Sequence, residues 1–112
     1  MVEKVVLDYL SSNVTEKVLM EVPGTMPSEF YVLEKTGSSE AEGIFHSTIV
    51  VQSYAATLYR AAEMSDTIRG LMVYGLIEEP EIVSVELNSE YNFTDTATKK
   101  YRYQAVFDIV HY

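Results

Sequence analysis

Apolar residues open the chain at Val2, Val5, Val6, Tyr9 and Leu10, a spacing of i, i+3, i+4, i+7 and i+8 that puts them on one stripe of a short helix. Ser11, Ser12 and Asn13 then end the stripe. Lys17 to Val22 and Phe30 to Lys35 are rich in β-branched and aromatic residues, and the Pro23-Gly24-Thr25-Met26-Pro27 segment between them cannot continue a ladder. Two strands joined by a loop are expected there. The small, polar, glycine-flanked stretch Thr36 to Gly43 has the composition of a surface loop. From Ile44 to Gln52 the pattern alternates, with Phe45, Ile49 and Val51 on one parity and His46, Thr48 and Gln52 on the other, which predicts a half-buried, central strand.

Thr57 is placed to cap a second helix whose stripe is Leu58, Ala61, Ala62, Ser65, Ile68, Leu71 and Met72. Gly75 is expected to stop it in a left-handed conformation. Ile82 to Tyr91 alternates Val83, Val85 and Leu87 against Ser84, Glu86 and Asn88, and Tyr101 to Tyr112 alternates in the same way. These two strands are expected to pair as a long antiparallel hairpin through a projecting connection, Asn92 to Lys100. The elements run α-β-β-β-α-β-β, which predicts an α+β fold, an antiparallel sheet of about five strands with both helices on one face.

Length adds that residues 1–112 form one domain. With 47% apolar and 22% charged residues, the composition is that of a folding chain rather than a disordered one. The absence of cysteine excludes disulfides, thiolate metal sites and thiol nucleophiles. Glu3 and Asp8 interrupt the first apolar stretch where a secretory signal needs continuity, and no run approaches a membrane span of roughly 18 residues, so a cytoplasmic protein without membrane contact is expected. Net charge is −9, and Lys99, Lys100 and Arg102 form the one basic group. Specific nucleic-acid binding is not expected from so few cations. Acid is concentrated in Glu78 to Glu90, which holds Glu78, Glu79, Glu81, Glu86 and Glu90 and no basic residue.

Candidate chemistry is sparse. His46 and His111 stand outside any metal-ligand spacing, and both read as surface or rim histidines. The carboxylate pairs Glu78 with Glu79 and Glu40 with Glu42 fall in segments that look exposed, where desolvation is too slight to make a general acid. Gly37 and Gly43 bracket an acidic loop without Lys or Arg, the wrong charge for a phosphate cradle. No catalytic residue, metal or cofactor is therefore assigned. What exceeds expectation is nine tyrosines with no tryptophan. Tyrosine joins an apolar body to a polar tip and suits surfaces that are buried in a partner. Tyr9, Tyr101 and Tyr103 read as core residues, whereas Tyr31, Tyr59, Tyr74 and Tyr112 read as interface candidates.

The succession of an amphipathic helix, Pro23 to Pro27 leading into Phe30-Tyr31-Val32-Leu33-Glu34, the Thr36-Gly37 loop and Ile49-Val50-Val51-Gln52-Ser53-Tyr54-Ala55 entering an alanine-bearing helix resembles phage tail terminator and neck (head-tail joining) proteins. Asp95 ahead of Arg102-Tyr103-Gln104 resembles that family's turn into its last strand. A single glycine after Thr36, and Lys99 and Lys100 in place of a proline, depart from the pattern. The resemblance implies a cyclic homo-oligomer, usually a hexamer, in the virion tail, assembled in the bacterial cytoplasm. Its partners would be the tail tube protein and a head-completion protein. On that reading Tyr31, Thr36, Gly37, Tyr59, Tyr74, Asp95, Lys99, Lys100 and Arg102 are candidates for the subunit or tube interface. Glu78, Glu79, Glu86 and Glu90 are candidates to line the channel, where like charge lets DNA pass. A small ligand-binding or regulatory domain with an apolar pocket is the alternative reading, and an enzyme built on carboxylates ranks behind both.

Overall fold

The N-terminal stripe becomes helix α1, Val2–Asn13, in a computed structural model that describes residues 1–98 and 100–112. Its Val2, Val6 and Leu10 are buried, each worth roughly 1.5–3 kcal/mol of apolar transfer. After α1 come β1 (Lys17–Leu19), β2 (Phe30–Ala41), β3 (Ile44–Ala55), α2 (Leu58–Gly70), β4 (Ile82–Asn92) and β5 (Tyr101–His111). The fold is α+β, in the order α-β-β-β-α-β-β, and the strands lie side by side as β1-β2-β3-β5-β4. β3 is central. Both helices pack on one face of this sheet, where Leu33, Ile49, Val51, Ala105, Phe107 and Ile109 meet Val6, Leu10, Ala61, Met64, Ile68 and Met72.

Three local features differ from the reading of the sequence. β1 is shorter than Lys17 to Val22 and runs parallel to β2, with Lys17 opposite Phe30 and Leu19 opposite Val32, so the sheet is mixed at that edge. Thr36 to Gly43 is not a loop. β2 continues to Ala41, a bulge at Thr36 absorbs one extra residue between Lys35 and Gly37, and the turn is only Glu42 and Gly43, with φ of +55° and +82°. Two positive φ values in a two-residue connection match the twist of the flanking strands.

The third difference is at the end of α2. Thr57 caps the helix as expected, its Oγ1 accepting from the Arg60 N–H at 3.1 Å. Gly75, however, has φ −113° and does not end it in a left-handed conformation. The helix passes instead into a π-helical turn, Leu71–Gly75, and a 3-10 turn, Leu76–Glu78. Gly75 is needed there for space, because a Cβ would lie 1.8 Å from the Tyr9 hydroxyl oxygen. That hydroxyl donates to the Leu71 carbonyl at 3.2 Å and pins α1 to the turn.

Polar ties complete the frame. Arg60 bonds Glu29 at 2.9 Å and Glu16 at 3.0 Å, joining α2 to the chain on either side of β1. Glu90 on β4 accepts from Ser65 at 2.6 Å and Arg69 at 2.7 Å, both on α2. Among the described residues, no helix is long and apolar enough to cross a membrane.

Candidate functional site

Neither helix packs on the other face of the sheet, whose residues are those of opposite parity to the core. Phe30 and Val32 on β2 and Tyr54 on β3 form a small buried cluster there, with Phe30 and Tyr54 stacked at 4.5 Å. Strand register then brings together residues far apart in sequence: Gln52 lies opposite Gln104 and Tyr54 opposite Arg102, while Tyr91 lies opposite Gln104 from the other side. Gln104 receives a bond from Gln52 at 2.8 Å and donates to the Tyr91 hydroxyl, and the Tyr54 hydroxyl donates to Gln52 at 3.0 Å. A row of fixed polar and aromatic side chains crosses three strands.

Arg102 anchors one end of the row. Its Nη1 donates to the Tyr54 hydroxyl at 3.0 Å and its Nε to the Phe93 carbonyl at 2.6 Å. The guanidinium lies 4.4 Å from the centre of the Phe93 ring, and Phe93 meets Tyr91 edge-on. Cation and ring are thus preorganised, which lowers the ordering cost of a contact made through them. Next to it, the β4–β5 connection is held by its own side chains. Asn92 accepts from the Thr94 N–H at 3.0 Å, and Asp95 accepts from the Ala97 N–H at 3.0 Å. Bonding to Thr98, and then to Ala97, holds the Asp95 carboxyl below its ordinary range. Lys100 bridges back to Asp95 through the backbone, whereas Lys99 lies outside the described residues.

At the opposite end of the sheet the helix-facing side is incompletely covered and forms a groove of about 1060 Å³. α1 supplies one wall, with Val5 and Tyr9; Phe45 and His111 lie on the sheet side, and Glu79, Glu81 and Tyr112 lie along the rim. His111 is 6% exposed, which corrects its reading as a surface or rim histidine. Its ring stacks on Phe45 at 5.3 Å, because the two face each other across β3 and β5. Its Nε2 is 2.7 Å from Ser47 Oγ and its Nδ1 is 3.1 Å from the Tyr112 carbonyl. The tautomer that satisfies both contacts carries its proton on Nδ1. A serine so close to an imidazole has the types of a nucleophile and its base, but Ser47 is buried, at 3% exposed. The pair ties the last strand to the centre of the sheet.

The remaining sequence candidates are scattered over the molecule. Tyr31 is 1% exposed, a correction to its place among the interface candidates. Register sets it opposite Ser53 on the helix-facing side, with its hydroxyl 3.5 Å from the Met64 carbonyl, and burial first, then the Glu16 charge, pushes its phenol pKa up. Tyr59 and Tyr74 are 76% and 82% exposed on α2 and the turn after it. Thr36 and Gly37 lie exposed at the β2 bulge, and Asp95, Lys100 and Arg102 lie together at the β4–β5 end. Glu78 and Glu86 are exposed and Glu79 half-buried, while Glu90 is engaged by Ser65 and Arg69. Sequence reasoning missed Gln52, Tyr54, Tyr91, Phe93 and Gln104 on the open face and Phe45 in the groove. Their alternation was visible, but register alone unites them. Among the described residues, no three His, Asp or Glu side chains gather to hold a metal ion. No protein-family model matches the chain, and no match among curated proteins was found.

Proposed function

We propose that this chain is a tail-assembly protein of a phage or prophage that forms a ring, caps the head-proximal end of the tail tube and offers the surface to which the head is joined. The observation that carries the reading is the Arg102 surface. A cation fixed between Tyr54 and Phe93, beside a braced turn and on a sheet face that neither helix covers, is suited to hold a protein partner. Capping follows from occupancy: a ring seated on the tube takes the surface that the next tube subunit requires, and modest contacts repeated around the ring add to a stable block. Exposed Glu78 and Glu86 would rim a channel through which DNA passes without lasting phosphate contact. The partners are then other copies of this chain, the tail tube protein and a head-completion protein, and the site of action is the virion tail, assembled in the host cytoplasm.

The groove beside α1 favours a second reading, a ligand-binding domain, since its volume suits a sizeable apolar molecule. Polymerising tail tube subunits with and without the purified protein separates the two. Tubes that stop growing when the protein is added support capping. Unchanged tube lengths at saturating protein would refute it.

A further inference from the structure

The two ends of the molecule are complementary. At one end Arg102 has no carboxylate within ion-pair distance among the described residues. Asp95 acts on it only through space, its own oxygens being engaged by Thr98 and Ala97. Exposed Lys100 and the half-exposed rings of Tyr91 and Phe93 flank it. At the other end the groove is lined by Val5, Tyr9, Phe45 and Tyr112 together with Glu79 and Glu81. The two lysines of the groove are neutralised within the chain, Lys4 by Asp8 at 2.6 Å and Lys35 by Glu3 at 3.5 Å. Glu79 and Glu81 have no ion-pair partner among the described residues.

We propose that the β4–β5 end of one copy, carrying Phe93, Lys100 and Arg102, docks in the α1 groove of a second copy against Glu79 and Glu81. This rests on the ring part of the reading above and names its contact. A molecule cannot satisfy itself in this way, since the two ends lie at opposite ends of β5, ten residue steps or roughly 33 Å apart. The contact is head-to-tail, the kind that closes into a ring when the rotation per subunit allows. The groove encloses about 1060 Å³, at the upper end of the roughly 300–1000 Å³ of small-molecule pockets, and so has room for the aromatic and cationic side chains of a docking turn. Cationic and aromatic groups meeting a carboxylate-rimmed apolar floor supply both the charge match and the buried area.

Light scattering of the full chain over a range of concentrations tests this, with paired charge reversals. The native chain is expected to gain mass with concentration, and less so at high salt. Lys100→Glu with Arg102→Glu, and separately Glu79→Lys with Glu81→Lys, should each weaken association by about a hundredfold, as like charges now face each other. An equimolar mixture of the two variants should recover it, because every contact then joins opposite charges. Thermal melts verify folding; should Arg102→Glu unfold the chain, Lys100→Glu alone against the Glu79 and Glu81 reversals serves the same comparison. A native chain that stays monomeric, reversals that associate normally, or a mixture without recovery would overturn the proposal. Tube capping by a monomer would sink this contact and leave the capping function standing, and association without capping would do the opposite.

Discussion

Replacing Gly75 by Ala should destabilise the fold, although alanine is ordinarily the better residue in a helical segment. The added carbon would lie 1.8 Å from the Tyr9 hydroxyl oxygen and 3.0 Å from the ring carbon that bears it. Tyr9 is only partly buried, so it can swing outward, but the swing breaks its bond to the Leu71 carbonyl. Losing that bond costs roughly 0.5–1.5 kcal/mol and the crowding about 1–3 kcal/mol, offset by a gain of about 0.5–1 kcal/mol from removing a helical glycine. A net loss of about 2 kcal/mol is expected. Gly70 supplies the contrast, being helical with nothing within 4 Å of an added Cβ, so Gly70→Ala should stabilise by about 0.5–1 kcal/mol. Urea unfolding followed by circular dichroism measures both. In a Tyr9→Phe background the cost of Gly75→Ala should fall by about 1 kcal/mol, since the closest clashing atom is gone. A Gly75→Ala variant as stable as the native chain, or an unchanged cost in that background, would refute the close approach of α1 to the turn.

Alkaline pH should weaken the fold through Tyr31. Its folded-state pKa is raised by burial and then by Glu16, so the unfolded phenol, which titrates near pH 10, loses its proton first. The stabilisation is complete below that pH and is lost as pH rises above it; Tyr31→Phe should flatten the fall in urea midpoint, and equal slopes would contradict the assignment. Arg60→Ala should cost about 1–2 kcal/mol by urea unfolding, allowing for a side chain more than a third exposed, because Glu16 and Glu29 lose their shared cation; a neutral result would show the cluster to be ornamental. Gly43→Ala should cost about 1 kcal/mol, since its φ of +82° disfavours a side chain, and an unchanged thermal midpoint would argue against the two-residue turn.

Alternation made β3, β4 and β5 legible, and the helical stripes made α1 and α2 legible, because one face of each is dry and the other wet. Tyr31 was misplaced for a definable reason. Phe30-Tyr31-Val32-Leu33 is apolar on both parities, for Phe30 and Val32 bury on the open face while Tyr31 and Leu33 bury under the helices. Thr36 to Gly43 looked like a loop because its residues are small and polar. The edge of β2 beyond Val32 has no neighbouring strand, so small, polar residues suffice there. The parallel pairing of β1 depends on how the chain crosses between Leu19 and Phe30, which composition does not encode. The open-face network is likewise a product of register, since Gln52, Tyr91 and Gln104 have no local motif. His111 illustrates the same limit: its position near the end of the sequence suggested exposure, whereas pairing with Phe45 and bonding to Ser47 bury it.

The proposed capping role is tested most directly by removing this gene from the genome that carries it and viewing lysates by negative-stain electron microscopy. Separate heads and overgrown, headless tails are expected, restored to joined particles when the native gene is returned. Tails of normal length already joined to heads in the absence of the gene would contradict the account.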